Sequence, residues 1–218
     1  MSIILLPFPH QATAELFLQG PAGKLETITT WPQTPSVQGV VIICHPHPLH
    51  QGTMHNKVVT TLARTFVRHD FATVRFNYRG VGQSEGSYGE MQGEIQDLFA
   101  VKAWVQQGLP AVPVWLAGFS FGAFISASVA NQVADVLQLI SVAPAVNYAC
   151  FQSLTTISCP WLVIHGEEDE VVPFAEAQQF AANPPSALTF IALPKTGHFF
   201  HGRLMELQRA IENDSQLA

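Results

Sequence analysis

The chain has 218 residues, 48% of them hydrophobic, which is enough to bury a substantial core in one domain over residues 1–218 and too few for two comfortable ones. Its formal charge of −6, with ten Lys and Arg and no basic run, excludes nucleic acid and anionic membrane surfaces as expected partners. The opening Met1-Ser-Ile-Ile-Leu-Leu-Pro-Phe-Pro9 lacks a basic start and is broken by two prolines, so it reads as neither signal peptide nor membrane span, and a cytoplasmic protein is expected.

In chain order, Ala14 to Gln19 and Leu25 to Thr30 are short β-prone runs joined by the turn sequence Gly20-Pro-Ala-Gly23, an opening antiparallel hairpin. After a loop from Trp31 to Gln38, Gly39-Val-Val-Ile-Ile-Cys44 is continuously apolar, the pattern of a strand buried on both faces of a parallel sheet. Val58, Val59, Leu62, Phe66 and Val67 recur at helical spacing within Thr53 to Arg68, and Phe71-Ala-Thr-Val-Arg-Phe76 is the next strand. Strand, helix, strand is the unit of a parallel sheet. Asn77 to Gly89 is a glycine-rich loop, and Met91 to Gln107 is helical, with Ile95, Leu98, Phe99 and Trp104 on one side. Strands follow at Val112 to Ala117, Val136 to Val142, Trp161 to His165 and Leu188 to Leu193, with helices at Phe174 to Ala182 and Phe199 to Asn213. Cys44, Cys150 and Cys159 have no C-x-x-C spacing and are expected to be reduced structural thiols.

The chemistry concentrates at Gly118-Phe-Ser-Phe-Gly122, where a strand turns sharply into a helix. A serine at such a turn is forced into a sparsely populated backbone conformation, and glycines two positions either side let strand and helix approach closely. The helix start also directs free N–H groups at whatever the hydroxyl attacks. In open α/β sheets ligands bind beyond the carboxyl ends of the strands, so the segments leaving other strands matter. Two of them carry an acid and a base: Gly166-Glu-Glu-Asp-Glu-Val-Val-Pro173 and Pro194-Lys-Thr-Gly-His198.

Together, Gly118-Phe-Ser-Phe-Gly122, His165-Gly-Glu-Glu-Asp169, Thr196-Gly-His198, His45-Pro-His-Pro48 and Asn77-Tyr-Arg-Gly-Val-Gly-Gln-Ser84 resemble the α/β-hydrolase family, in its order of serine, acid and histidine. The match runs from Val40 to His201 and is nearest to the small capless serine hydrolases related to dienelactone hydrolases. Ser120 departs from the Cys of dienelactone hydrolase itself and the Asp of haloalkane dehalogenases. The resemblance implies a three-layer α/β/α sandwich around a mostly parallel sheet of about eight strands, without a large cap.

An imidazole must accept the proton of Ser120, and a carboxylate must hold that imidazole's tautomer; His198 is the expected base, and the resemblance implies Asp169 as orienting acid, since it matches the family position in the His-Gly-x-x-Asp turn. Glu167 and Glu168 are rivals for the acid. The oxyanion donors expected are the backbone N–H groups of Phe121 and of His47, the latter set between Pro46 and Pro48, with Leu49 as fallback. Two other classes compete: a metal-dependent hydrolase using His45, His47, His50 and His55, and a hydrolase-like scaffold that binds without turnover. Gly80-Val-Gly82 with Gly86 lacks the spacing of a dinucleotide loop, and no cofactor is implied. Phe119, Phe121, Phe199 and Phe200 are candidates for an acyl pocket or for core, and Arg79 is expected to pair with a loop carboxylate such as Glu85. The expected activity is cleavage of a small ester, thioester or lactone through an acyl-enzyme, by a monomer or homodimer.

Overall fold

The structure is a computed structural model that describes residues 7–148, 151–213 and 217. The start of the N-terminal stretch, residues 1–6, and Cys150 lie outside the described residues; Cys44 and Cys159 are free and buried.

β1 (Ala14–Gly20) and β2 (Gly23–Thr30) form the expected hairpin, with Gly20 opposite Gly23. β3 (Gly39–Cys44) is buried along its whole length, as its unbroken apolar run requires. α1 (Lys57–Arg68) begins four residues later than its periodicity predicts, because the Asn56 side chain accepts the Val58 N–H at 2.8 Å and fixes the start there. β4 (Phe71–Phe76), α2 (Gln92–Gly108), β5 (Val114–Phe119), α3 (Phe121–Ala130), β6 (Val136–Val142), β7 (Trp161–Gly166), α4 (Phe174–Ala182), β8 (Thr189–Leu193) and α5 (Leu204–Asn213) complete the series. α5 starts at Leu204 rather than Phe199, since positive φ at Phe200 (53°) and Gly202 (70°) breaks a helix there.

The eight strands form one sheet in the order β1-β2-β4-β3-β5-β6-β7-β8, antiparallel at β1, β2 and β4 and parallel from there on. Apolar faces of α1 and α5 close one side, and those of α2, α3 and α4 close the other. The winding reverses between β3 and β5, so the loops leaving these two strands part there and open a crevice. Among the described residues no helix is long and apolar enough to cross a membrane.

Candidate active site

Ser120 sits between β5 and α3 with φ 55° and ψ −116°, a conformation that non-glycine residues rarely adopt. Its N–H donates to the Val142 carbonyl at 2.9 Å, which ties the turn to β6. A Cβ at Gly118 would lie 2.2 Å from the Gly122 carbonyl oxygen, and one at Gly122 would lie 2.3 Å from the Cys44 carbonyl oxygen. Both glycines are therefore required by backbone that passes too close for any side chain. α3 is buried at every position, so the turn rests on a helix enclosed by the core.

His198 follows β8 and is 3% exposed. Its Nε2 lies 3.0 Å from Ser120 Oγ and its Nδ1 lies 2.8 Å from Asp169 Oδ2. The other oxygen of Asp169 accepts the N–H groups of Val171 and Val172 at 2.9 and 2.7 Å. Burial alone would raise the Asp169 carboxyl, but the His198 contact and these two N–H donors outweigh it and hold it below the ordinary aspartate value. Of the acids weighed from sequence, Asp169 reaches the imidazole, whereas Glu167 and Glu168 are exposed. Two residues that the sequence reading left without a role also belong here. Glu170 Oε2 accepts the backbone N–H of His198 at 3.1 Å. His165 Nε2 lies 3.0 Å from the Val172 carbonyl and 3.4 Å from Asp169 Oδ2, so it carries a hydrogen toward both acceptors. Burial, the largest influence, pushes the His165 pKa down, and its inner nitrogen has no partner among the described residues, so the ring is neutral. The strand-end position of His165 and the acidic run around Glu170 were visible in sequence, but nothing in the spacing shows which side chain turns back.

Cys44 at the end of β3 pairs with Gly118, so the segment 45–50 passes along the start of α3. Among the described residues neither the Phe121 nor the His47 N–H has a hydrogen-bond partner, and the His47 ring packs 4.6 Å from the Phe121 ring. The Leu49 N–H donates to His47 Nδ1 at 3.2 Å and is thereby spoken for. His45 is wholly buried: its Nδ1 donates to the Pro46 carbonyl at 2.7 Å and its Nε2 accepts the Tyr78 N–H at 3.2 Å. Desolvation pushes its pKa down to about 3, which leaves a neutral imidazole with both nitrogens occupied.

The metal reading of His45, His47, His50 and His55 is corrected by this arrangement, since no group of three or more His, Cys, Asp or Glu side chains among the described residues converges on a metal-sized site. Arg79 is also corrected. Its guanidinium forks onto Asp97 at 2.7 to 3.1 Å, while Glu85 accepts the Lys24 N–H at 2.8 Å. Asp97 lies one helical turn into α2, and Glu85 is drawn away by the hairpin it caps. Of the four phenylalanines, Phe119, Phe121 and Phe200 are buried in the core, and Phe199, 42% exposed, stands edge-on to the His198 ring at 5.1 Å.

Residues 35–152 match the family described as "Serine aminopeptidase, S33". An α/β serine hydrolase homologue from Coxiella burnetii is 49% identical, with 93% of this chain and 97% of that one covered and a TM-score of 0.89. A serine hydrolase without a lid from Xanthomonas campestris is 38% identical, with 95% and 94% covered and a TM-score of 0.89. An uncharacterised protein of Rickettsia prowazekii is 28% identical over 208 residues, 91% of this chain and 87% of its own length. The family match runs through β3, the elbow and β6, and the two solved relatives extend it across the acid and histidine loops, so the chain belongs to the α/β-hydrolase superfamily, among serine hydrolases built without a lid.

Proposed function

We propose that the protein hydrolyses small carboxylic esters, or thioesters or lactones of similar size, through an acyl-enzyme formed on Ser120. The observation that carries this reading is the unbroken line of hydrogen bonds from Ser120 Oγ through His198 to Asp169, at 3.0 and 2.8 Å. In the proposed reaction His198 Nε2 takes the hydroxyl proton as Oγ attacks the acyl carbon, and Asp169 holds the Nδ1–H tautomer and stabilises the imidazolium. The N–H groups of Phe121 and His47 receive the developing oxyanion. His198 then protonates the leaving alcohol, and a water activated by the same ring releases the acid and restores the hydroxyl. Ester, thioester and lactone share these steps, and no cofactor enters any of them.

Substrate size follows from what surrounds the crevice. Among the described residues between β6 and β7 there is one short 3-10 turn, at Phe151–Ser153, and Leu49, Tyr148, Val171 and Phe199 stand exposed in the segments leaving the strand ends. An enclosed channel would yield about 0.8 kcal/mol for each buried methylene, a gain that an open rim largely forgoes. Short acyl groups should therefore serve best. The test is a p-nitrophenyl ester series from acetate to dodecanoate with wild type and Ser120→Ala. The expected result is kcat/KM highest at acetate to butyrate and a loss of about 10⁴-fold or more in the variant. An organophosphonate should label wild type at Ser120 rapidly; an unlabelled wild type would point instead to a scaffold that binds without turnover.

A further inference from the structure

The acidic run after β7 does not act as one patch. Glu167, Glu168 and Glu170 are all exposed, and the N–H groups of the first two bond to the carbonyls of Leu193 and Thr196, each at 3.0 Å, which stitches the acid loop to the histidine loop. Glu170 makes a different contact. Its Oε2 accepts the His198 backbone N–H at 3.1 Å, while its neighbour Asp169 takes the Nδ1–H of the same residue at 2.8 Å. Two consecutive carboxylates thus grip one histidine, at its main chain and at its ring. Gly197 leaves room for this approach, since a Cβ there would lie 2.7 Å from Glu170 Oε2.

The grip matters because of where His198 is carried. It follows the edge strand β8, in which every residue is at least partly exposed, and the main chain breaks from regular structure again at Phe200. Asp169 fixes the twist of the imidazole, and the bonds to the Leu193 and Thr196 carbonyls hold the chain before it, but none of these holds the main-chain N–H of His198 itself. A displacement of about 1 Å at a reacting group can reduce turnover on the order of 100-fold. At 3.1 Å the contact is of ordinary hydrogen-bond length, and its part is to tie the His198 N–H to the acid loop through an acceptor oxygen.

We propose that Glu170 is a positioning residue, whose carboxylate anchors the His198 main chain and so keeps Nε2 within reach of Ser120. This rests on the serine-hydrolase reading above. The test compares kcat and KM on p-nitrophenyl butyrate for wild type, Glu170→Ala, Glu170→Gln, Gly197→Ala and Glu167→Ala, with thermal unfolding midpoints for each. Glu170→Ala should lose about 10- to 100-fold in kcat with KM within about twofold, because the substrate does not touch the anchor. Glu170→Gln keeps an acceptor oxygen and should stay within about threefold of wild type. Gly197→Ala reaches the same contact from the other side and should reproduce the kcat loss even if Glu170→Ala folds poorly. Glu167→Ala removes a nearby charge that makes no contact with His198 and should change neither constant. Wild-type kcat in Glu170→Ala or Gly197→Ala, or a Gln variant as impaired as the Ala variant, overturns the proposal. Phosphonate labelling measured alongside separates the two readings: a labelled wild type with an unimpaired Glu170→Ala defeats the anchor alone, and an unlabelled wild type defeats both.

Discussion

Replacing Arg79 by Met should destabilise the protein more than any comparable surface change, because of the charge it leaves behind. The Asp97 side chain is 0% exposed and accepts hydrogen bonds from the Arg79 main-chain N–H at 3.0 Å, from Nε at 3.0 and 3.1 Å and from Nη2 at 2.7 Å. Arg79→Met removes every one of these donors except the main-chain N–H, while the carboxylate stays walled in by α2 and the loop. Breaking a buried pair from one side costs about 3–5 kcal/mol, most of it the uncompensated charge. For a chain of this size that corresponds to a fall of roughly 6–20 °C in Tm. Urea unfolding at pH 7, followed by tryptophan fluorescence, measures the loss in Arg79→Met, Asp97→Asn and the double variant. Since Asp97→Asn removes the charge but keeps an acceptor for the Arg79 N–H, adding it to Arg79→Met should recover more than half of the loss. A loss under about 1 kcal/mol in Arg79→Met, or no recovery in the double variant, would refute the argument that a desolvated charge dominates.

Stability should also fall in acid through His45. Its pKa is held down to about 3 in the fold, whereas in the unfolded chain it returns to about 6.5, so between these values the unfolded state binds the extra proton. The contribution is complete above the unfolded value and declines as pH drops toward the folded one, by about 2 kcal/mol at pH 5. His165, whose pKa is also lowered, acts in the same direction. Unfolding free energies of wild type and His45→Gln at pH 7 and pH 5 check this, and equal pH slopes for the two would contradict it. Gly122→Ala should abolish most activity: its new Cβ, 2.3 Å from the Cys44 carbonyl and 2.6 Å from that of His45, must push away the segment that carries the His47 N–H. Steady-state rates should drop about 100-fold or more, and a near wild-type rate would show that the segment yields without moving the oxyanion donors.

Much of this was legible in the chain because the strongest signals are local. The unbroken run Gly39–Cys44 and the spacing of Gly118, Ser120 and Gly122 leave few alternatives for a buried strand and a tight turn, and both stand in the structure as read. The spacing places the helix before Phe71 too early because Met54, buried just ahead of it, extends the apolar signal, while the boundary depends on one cap, that of Asn56. Pairings between distant side chains were harder. Arg79 has Glu85 close in sequence and Asp97 a loop and a helical turn away, and only the folded path of the glycine-rich loop decides between them. The run from Glu167 to Glu170 illustrates the same limit: composition marks the loop as acidic, while the direction of each carboxylate is set by the turn that Asp169 makes with Val171 and Val172.

The nucleophile and the base sit on supports of very unequal rigidity. Ser120 is carried by a central strand and a helix with no exposed residue, whereas His198 hangs from the last strand of the sheet, where neighbours exist on one side only. Local opening draws on regions with few buried contacts and little shielding, so amide exchange should be slow along the elbow and much faster along residues 189–198. Warming the protein should then separate base from nucleophile before the sheet itself melts. Inactivation would begin as a reversible fraying of one margin, restored on cooling, at temperatures where the core around Ser120 is still intact.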